Sequence, residues 1–201
     1  MRAADRRQIP TWLTKILARD VYFTDEFVKF MEKFLSLKQC LLYYYILEIS
    51  CHGICWLGIS FILIRILNNK SLYQMQVNLV IGLLFDIVLV AVLKAITRRR
   101  RPNTNDDPFS LGPDKYSFPS GHASRALFIL YFFESWNMSS LYALPLLTWS
   151  FSVCLSRIML RRHHMLDVLV GACLGVFEGA IMRYFYFGQE TCVYLISWFC
   201  N

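Results

Sequence analysis

Val77–Ile96 reads VNLVIGLLFDIVLVAVLKAI, twenty residues in which only Asn78, Asp86 and Lys94 are strongly polar. At about 1.5 Å of rise per residue a helix of that length covers a hydrocarbon core roughly 30 Å thick. Read alone, the run fits either a buried helix of a large soluble domain or a membrane span. Its neighbours decide. Leu41–Leu67, Leu141–Leu155 and Val168–Phe187 are similar runs, and Ala126–Phe133 extends a helix that starts near Gly121. The 201 residues are 56% hydrophobic and 16% aromatic, with mean hydropathy +0.41, more apolar surface than a soluble domain of this size needs. The expected architecture is all-α, an integral membrane helical bundle of about five transmembrane helices. The tail Thr191–Phe199 is apolar but too short to cross.

Two parts follow from this reading: a basic, amphipathic segment over residues 1–39, and a membrane-embedded domain over residues 40–201. In Asp25–Leu37, Phe27, Phe30, Met31, Phe34 and Leu35 recur at helical spacing between Glu26, Lys29 and Lys33. That pattern predicts an amphipathic helix lying on the membrane surface or against the bundle. Residues 1–20 carry Arg2, Arg6, Arg7, Lys15 and Arg19 and lack an apolar core, so no cleavable signal peptide is expected.

The net charge of +7 suits nucleic acid, acidic headgroups or a phosphorylated substrate, and basic loops also arise from the positive-inside bias. The seven cysteines (Cys40, Cys51, Cys55, Cys154, Cys173, Cys192 and Cys200) show no CxxC or zinc spacing and read as small apolar filler. Cys192 and Cys200 remain a weak pairing possibility. Ionisable groups inside spans are functional suspects. Glu48 and His52, four apart on one helix, are expected to satisfy each other. Arg65 can snorkel, and Asp86 is the buried acid of the second span.

Polar islands interrupt the apolar runs at Lys94–Pro102, Pro119–His122 and Ser156–Asp167. Two spans separate the second island from the third, so all three can meet on one face of the membrane. In SRIMLRRHHMLD, His163 stands four residues before Asp167. On a helix the two share a face, where the carboxylate can take Nδ1–H and leave Nε2 free as nucleophile or base. His164 points elsewhere and reads as structural. Lys94, Arg101 and Arg157 supply cations for a phosphoryl group. Ser120 and Gly121 open a helix whose free N–H groups favour an anion, and His122 is placed to protonate a departing oxygen. Arg98, Arg99 and Arg100 read as a positive-inside anchor.

The ordered set Lys94-x6-Arg101-Pro102, Pro119-Ser120-Gly121-His122 and Ser156-Arg157-x5-His163-x3-Asp167 resembles the three-part signature of the type-2 phosphatidic acid phosphatase superfamily, the lipid phosphate phosphatases. The resemblance covers roughly residues 40–187. It implies His163, His122 and Asp167 as catalytic residues: His163 attacks phosphorus, Asp167 orients it, and His122 protonates the leaving group and then activates water. It also implies Lys94, Arg101, Ser120, Gly121 and Arg157 as phosphate-binding residues, no metal and no cofactor.

KAITRRRRP and DKYSFPSGHASRA resemble the polyisoprenoid diphosphate phosphatase branch, the type-6 phospholipid phosphatase. That branch implies hydrolysis of farnesyl, geranylgeranyl or presqualene diphosphate through a phosphohistidine. Phosphatidic acid, lysophospholipid or sphingoid phosphate is the alternative substrate. The implied partners are lipid substrate and membrane lipids, with no nucleic acid; the Gly171, Gly175 and Gly179 face could pack within the bundle or make a homo-oligomer. The implied location is the endoplasmic reticulum or nuclear envelope. Basic residues cluster on the site's face, which the positive-inside rule turns to the cytoplasm. The sequons at Asn69 and Asn137 fall in loops on the opposite face. Rival classes are a non-catalytic scaffold that binds lipid phosphates and a transporter with a proton relay through Glu48, His52 and Asp86.

Overall fold

The structure is a computed structural model that describes residues 10–35, 37–102, 115–136 and 140–200. The sequon at Asn137, most of the polar stretch between the first two islands and the first nine residues lie outside them. Among the described residues the chain is all-helical: α1 Thr11–Glu32, α2 Leu37–Ser50, α3 Gly53–Leu67, α4 Tyr73–Thr97, α5 Gly121–Ser135, α6 Ser140–Met159, α7 Met165–Tyr184 and α8 Gln189–Cys200. Helices α4, α6 and α7 are each long and apolar enough to cross a membrane. The bent pair α2–α3 makes up to four, and α5, at 15 residues, is shorter than a full span. α8, with 12 residues, lies against α4 through Cys192 and Ile196 on Tyr73 and Val77.

Two boundaries differ from the sequence reading. The amphipathic helix starts at Thr11 and ends at Glu32 instead of covering Asp25–Leu37. Its buried stripe is Asp20, Thr24 and Val28, so two of three inward positions are polar and apolar periodicity missed them. The first expected span, Leu41–Leu67, is broken at Cys51–His52, where α2 and α3 meet at a 55° bend. A helix break inside a membrane frees backbone carbonyls that need a donor. Arg125 from α5 supplies one, placing Nη1 3.1 Å from the Cys51 carbonyl. Gly53 opens α3 there, and a Cβ on it would meet Arg125 Cζ at 2.9 Å. At the break Glu48 pairs with Arg157 at 3.1 Å, and the expected Glu48–His52 pair is not found among the described residues.

α5 is the centre of the bundle. Phe128, Ile129 and Phe132 pack with Leu79 and Leu83 of α4 and Met182 of α7. The glycines of α7 face α5: a Cβ at Gly171 or Gly175 would run into the Ser120 or Ser124 carbonyl, and one at Gly179 would meet the Tyr131 ring. Within this bundle the small-residue face therefore serves intramolecular contact. Overpacking at such a backbone seam costs about 1–3 kcal/mol. Gly175→Ala is expected to lower the thermal unfolding midpoint in detergent by several degrees. Gly58→Ala, on α3 with nothing within 4 Å of its Cβ, leaves the midpoint unchanged or raises it. Equal midpoints for the two variants contradict this packing.

Candidate active site

The third island is not one helix. α6 ends at Met159, Arg161 turns the chain with φ 53°, and α7 begins at Met165 with His164 as its N-cap. Left-handed backbone is uncommon for a residue with a side chain. Here the Arg161 guanidinium reaches Asp25 of α1 at 2.8 Å, tying the turn to a second element. His163 thus sits in the turn, almost fully buried, with its N–H 3.3 Å from the Arg157 carbonyl.

This geometry changes the expected partner of the histidine. His163 Nδ1 lies 2.7 Å from the Ser117 carbonyl and 3.9 Å from Asp167 Oδ2. A carbonyl only accepts, so Nδ1 carries the proton and Nε2 keeps its lone pair. Asp167 instead accepts from the His164 backbone N–H at 2.8 Å and faces His164 Nδ1 at 3.3 Å. Its other oxygen pairs with Arg99 at 2.6 Å. The carbonyl of Asp167 accepts the Ser120 N–H at 2.9 Å, which joins the second and third islands directly. That N–H is therefore spent within the protein. The Ser120 hydroxyl caps α5 only at 3.5 Å from the Ala123 N–H, the weak end of hydrogen bonding.

Around His163 the electrostatic field comes from Lys94, Arg101, Asp167 and Arg157. Burial, and after it Lys94 and Arg101, hold its imidazole well below the ordinary range, while Asp167 pulls the other way. The ring is consequently neutral near pH 7. His122, at the start of α5, feels Arg157, Arg125, His163 and Lys94, which places it in the same cluster. Its Nε2 is 3.3 Å from the Glu48 carbonyl, and its ring meets His52 edge-on at 6.5 Å. Arg157 is buried, pairs with Glu48 at 3.1 Å through Nη1, and leaves Nη2 without a hydrogen-bond partner among the described residues. A buried guanidinium with a spare donor suits an anion.

The structure thus draws Lys94, Arg101, Ser120, His122, Arg157, His163 and Asp167 to one end of the bundle, with Gly121 buried beside Ser120. Sequence reasoning missed Arg99, which bridges Asp20 of α1 and Asp167 at 2.6 Å each. Nothing in a run of four arginines marks that one. It also missed Arg125, paired with Asp86 at 2.6 Å and close enough to act electrostatically on His122. Glu178 stands in that same buried group, accepting from Ser124 at 3.3 Å. Among the described residues no three His, Cys, Asp or Glu side chains converge as metal ligands. A mostly apolar groove of about 1110 Å³ runs from Met165 and Leu166 between α1, α6 and α7, lined by Phe23, Phe27, Phe151, Ile158 and Leu169.

The profile of the PAP2 superfamily matches residues 76–190. The chain is 34% identical over 143 residues to a "Probable lipid phosphate phosphatase beta" of Arabidopsis thaliana, a match covering 56% of this chain and 66% of that protein, slightly under two thirds of its length. In architecture it is similar to the crystal structure of Aquifex aeolicus LpxE, with TM-score 0.59 and 22% identity over 78% of this chain and 92% of that one.

Removing one member of a buried ion pair strands the other charge, at about 3–5 kcal/mol. Arg125→Met is therefore expected to destabilise the protein in detergent by that order. Arg125→Met combined with Asp86→Leu is expected to recover part of the loss. Additive losses in a double-mutant cycle contradict the pairing.

Proposed function

The chain belongs to the PAP2 superfamily, and from that premise we propose that it is a metal-independent lipid phosphatase acting on polyisoprenoid diphosphates. The observation that carries the reading is a buried, neutral His163 with Nδ1–H held by the Ser117 carbonyl, set among Lys94, Arg101 and Arg157. A neutral imidazole with a fixed tautomer is a nucleophile, and three cations beside it stabilise charge on a transferring phosphoryl group.

In the first half-reaction Nε2 of His163 attacks the terminal phosphorus. The bond from that phosphorus to the bridging oxygen breaks, and the isoprenyl monophosphate leaves with a proton from His122. Water, deprotonated by His122, then attacks the phosphohistidine, releasing inorganic phosphate and the free imidazole. Lys94, Arg101, Arg157, the Ser120 hydroxyl and the Gly121 N–H hold the phosphoryl oxygens. Asp167 does not accept from Nδ1 in this arrangement; it fixes the turn through the His164 N–H and adds a favourable charge as His163 gains positive character.

Substrate class rests on three supports. One relative carries the name lipid phosphate phosphatase. The stretches KAITRRRRP and DKYSFPSGHASRA resemble the isoprenoid branch. The apolar groove beside Met165 and Leu166 offers a place for a long unbranched or prenyl chain. The basic residues of the site face suit a cytoplasmic orientation in an endoplasmic reticulum membrane, where cytosolic isoprenoid diphosphates have access.

His163→Ala is expected to reduce phosphate release, measured without divalent metal, by several orders of magnitude. The wild-type protein is expected to prefer farnesyl or presqualene diphosphate over phosphatidic acid, lysophosphatidic acid and sphingosine phosphate. Preference for a monophosphate moves the protein to another branch, and full turnover by His163→Ala removes the assigned nucleophile. In kcat/KM the acid limb, where protonation disables His163, is expected below the ordinary imidazole value of about 6.5.

A further inference from the structure

Two of the three buried residues of α1, Asp20 and Thr24, are polar, and both meet the start of α7 beside the turn that carries His163, while Val28 packs on Ala123, Ile158 and Val168. Asp20 is 5% exposed. One of its oxygens accepts the backbone N–H of Leu166 at 3.0 Å, and the other holds Arg99 at 2.6 Å. Thr24 is 3% exposed and accepts the Met165 N–H at 3.0 Å. These N–H groups belong to the first turn of α7, which has no carbonyls of its own to bind them. Helix α1 therefore caps α7 from outside. His164 and Asp167 cap it from within. The Arg99 fork lies between the two sets, pairing with Asp20 and Asp167 at the same distance.

We infer that Asp20 is a positioning residue for phosphoryl transfer, acting through Arg99 on Asp167 and through the Leu166 N–H on the turn holding His163. An anchoring helix at the membrane surface has no use for a buried acid, since burying a charge is costly and an apolar substitute often serves stability as well. A planar guanidinium shared by two carboxylates fixes both in orientation. Asp167 transmits that orientation to the His164 N–H and, through its carbonyl, to Ser120 of the phosphate site. Without Asp20, Arg99 is free to turn wholly to Asp167 and draw it away from both. A misplacement of about 1 Å at a reacting centre can cost on the order of 100-fold in rate.

This inference rests on the phosphatase reading, and full-length protein in lipid nanodiscs separates the two. If the wild type releases no phosphate from any isoprenoid or phospholipid substrate, that reading fails. Given wild-type turnover, Asp20→Asn is expected to lower kcat by about 10- to 100-fold with KM changed less than about threefold. The phosphoenzyme is expected to form more slowly by the same factor. Arg99→Gln is expected to act on the same step, so the double variant loses less than the product of the two single effects. Lys15→Gln, exposed on α1, leaves turnover unchanged. Should Asp20→Asn fail to fold, Thr24→Val reads the same device and is expected to lower kcat about threefold to tenfold. Wild-type kcat in the folded Asp20 or Thr24 variant, or multiplying effects of Asp20→Asn and Arg99→Gln, overturns the inference.

Discussion

Helix α7 lies so close to α5 that Gly171 and Gly175 have no room for a Cβ beside the Ser120 and Ser124 carbonyls. This backbone contact is the constraint on which the rest depends. It brings the first turn of α7 level with the start of α5, where the Ser120 N–H meets the Asp167 carbonyl at 2.9 Å. Two helix N-termini then converge on one small volume, and both favour negative charge. The cations of α4 and α6 reach the same place because Lys94 and Arg157 stand in the last turns of their helices. Small residues in the membrane are thus a condition for the geometry of the polar cluster as well as for packing.

Around that seam several buried charges are paired between different elements of the bundle. Arg125 joins α5 to Asp86 of α4 and to the break between α2 and α3. Arg157 joins α6 to Glu48 of α2. Arg99 joins the end of α4 to α1 and α7. Hydrophobic burial alone gives little orientation between helices in lipid, because the chains around them are equally apolar. Paired charges and hydrogen bonds set orientation, since stranding any one of them in a low-dielectric interior is costly.

The all-helical membrane architecture was legible because apolar runs such as Val77–Ile96 leave few alternatives. The assembly of the site was legible because its residues fall in three dense islands with fixed internal spacing. Less accessible was anything decided by contacts between distant segments. His163 and Asp167 at i,i+4 suggested a shared helical face, but the left-handed Arg161 ends α6 early and hands Nδ1 to the Ser117 carbonyl. Leu41–Leu67 looked continuous because its break is supported by Arg125, 74 residues from Cys51 in the chain. Asp20 and Thr24 were unreadable for a related reason: an inward-facing polar stripe looks like a solvated one until its partners are known.

The central claim is that His163 is the nucleophile and that Nε2 is the attacking atom. Rapid acid-free quenching of the enzyme with terminally 32P-labelled farnesyl diphosphate, followed by peptide mapping and isomer analysis, tests it most directly. The expected result is an acid-labile, base-stable phosphohistidine on His163 carrying the phosphoryl group at Nε2, absent from His163→Ala. Phosphate at Nδ1, on His122 or His164, or label retained in His163→Ala would contradict the account.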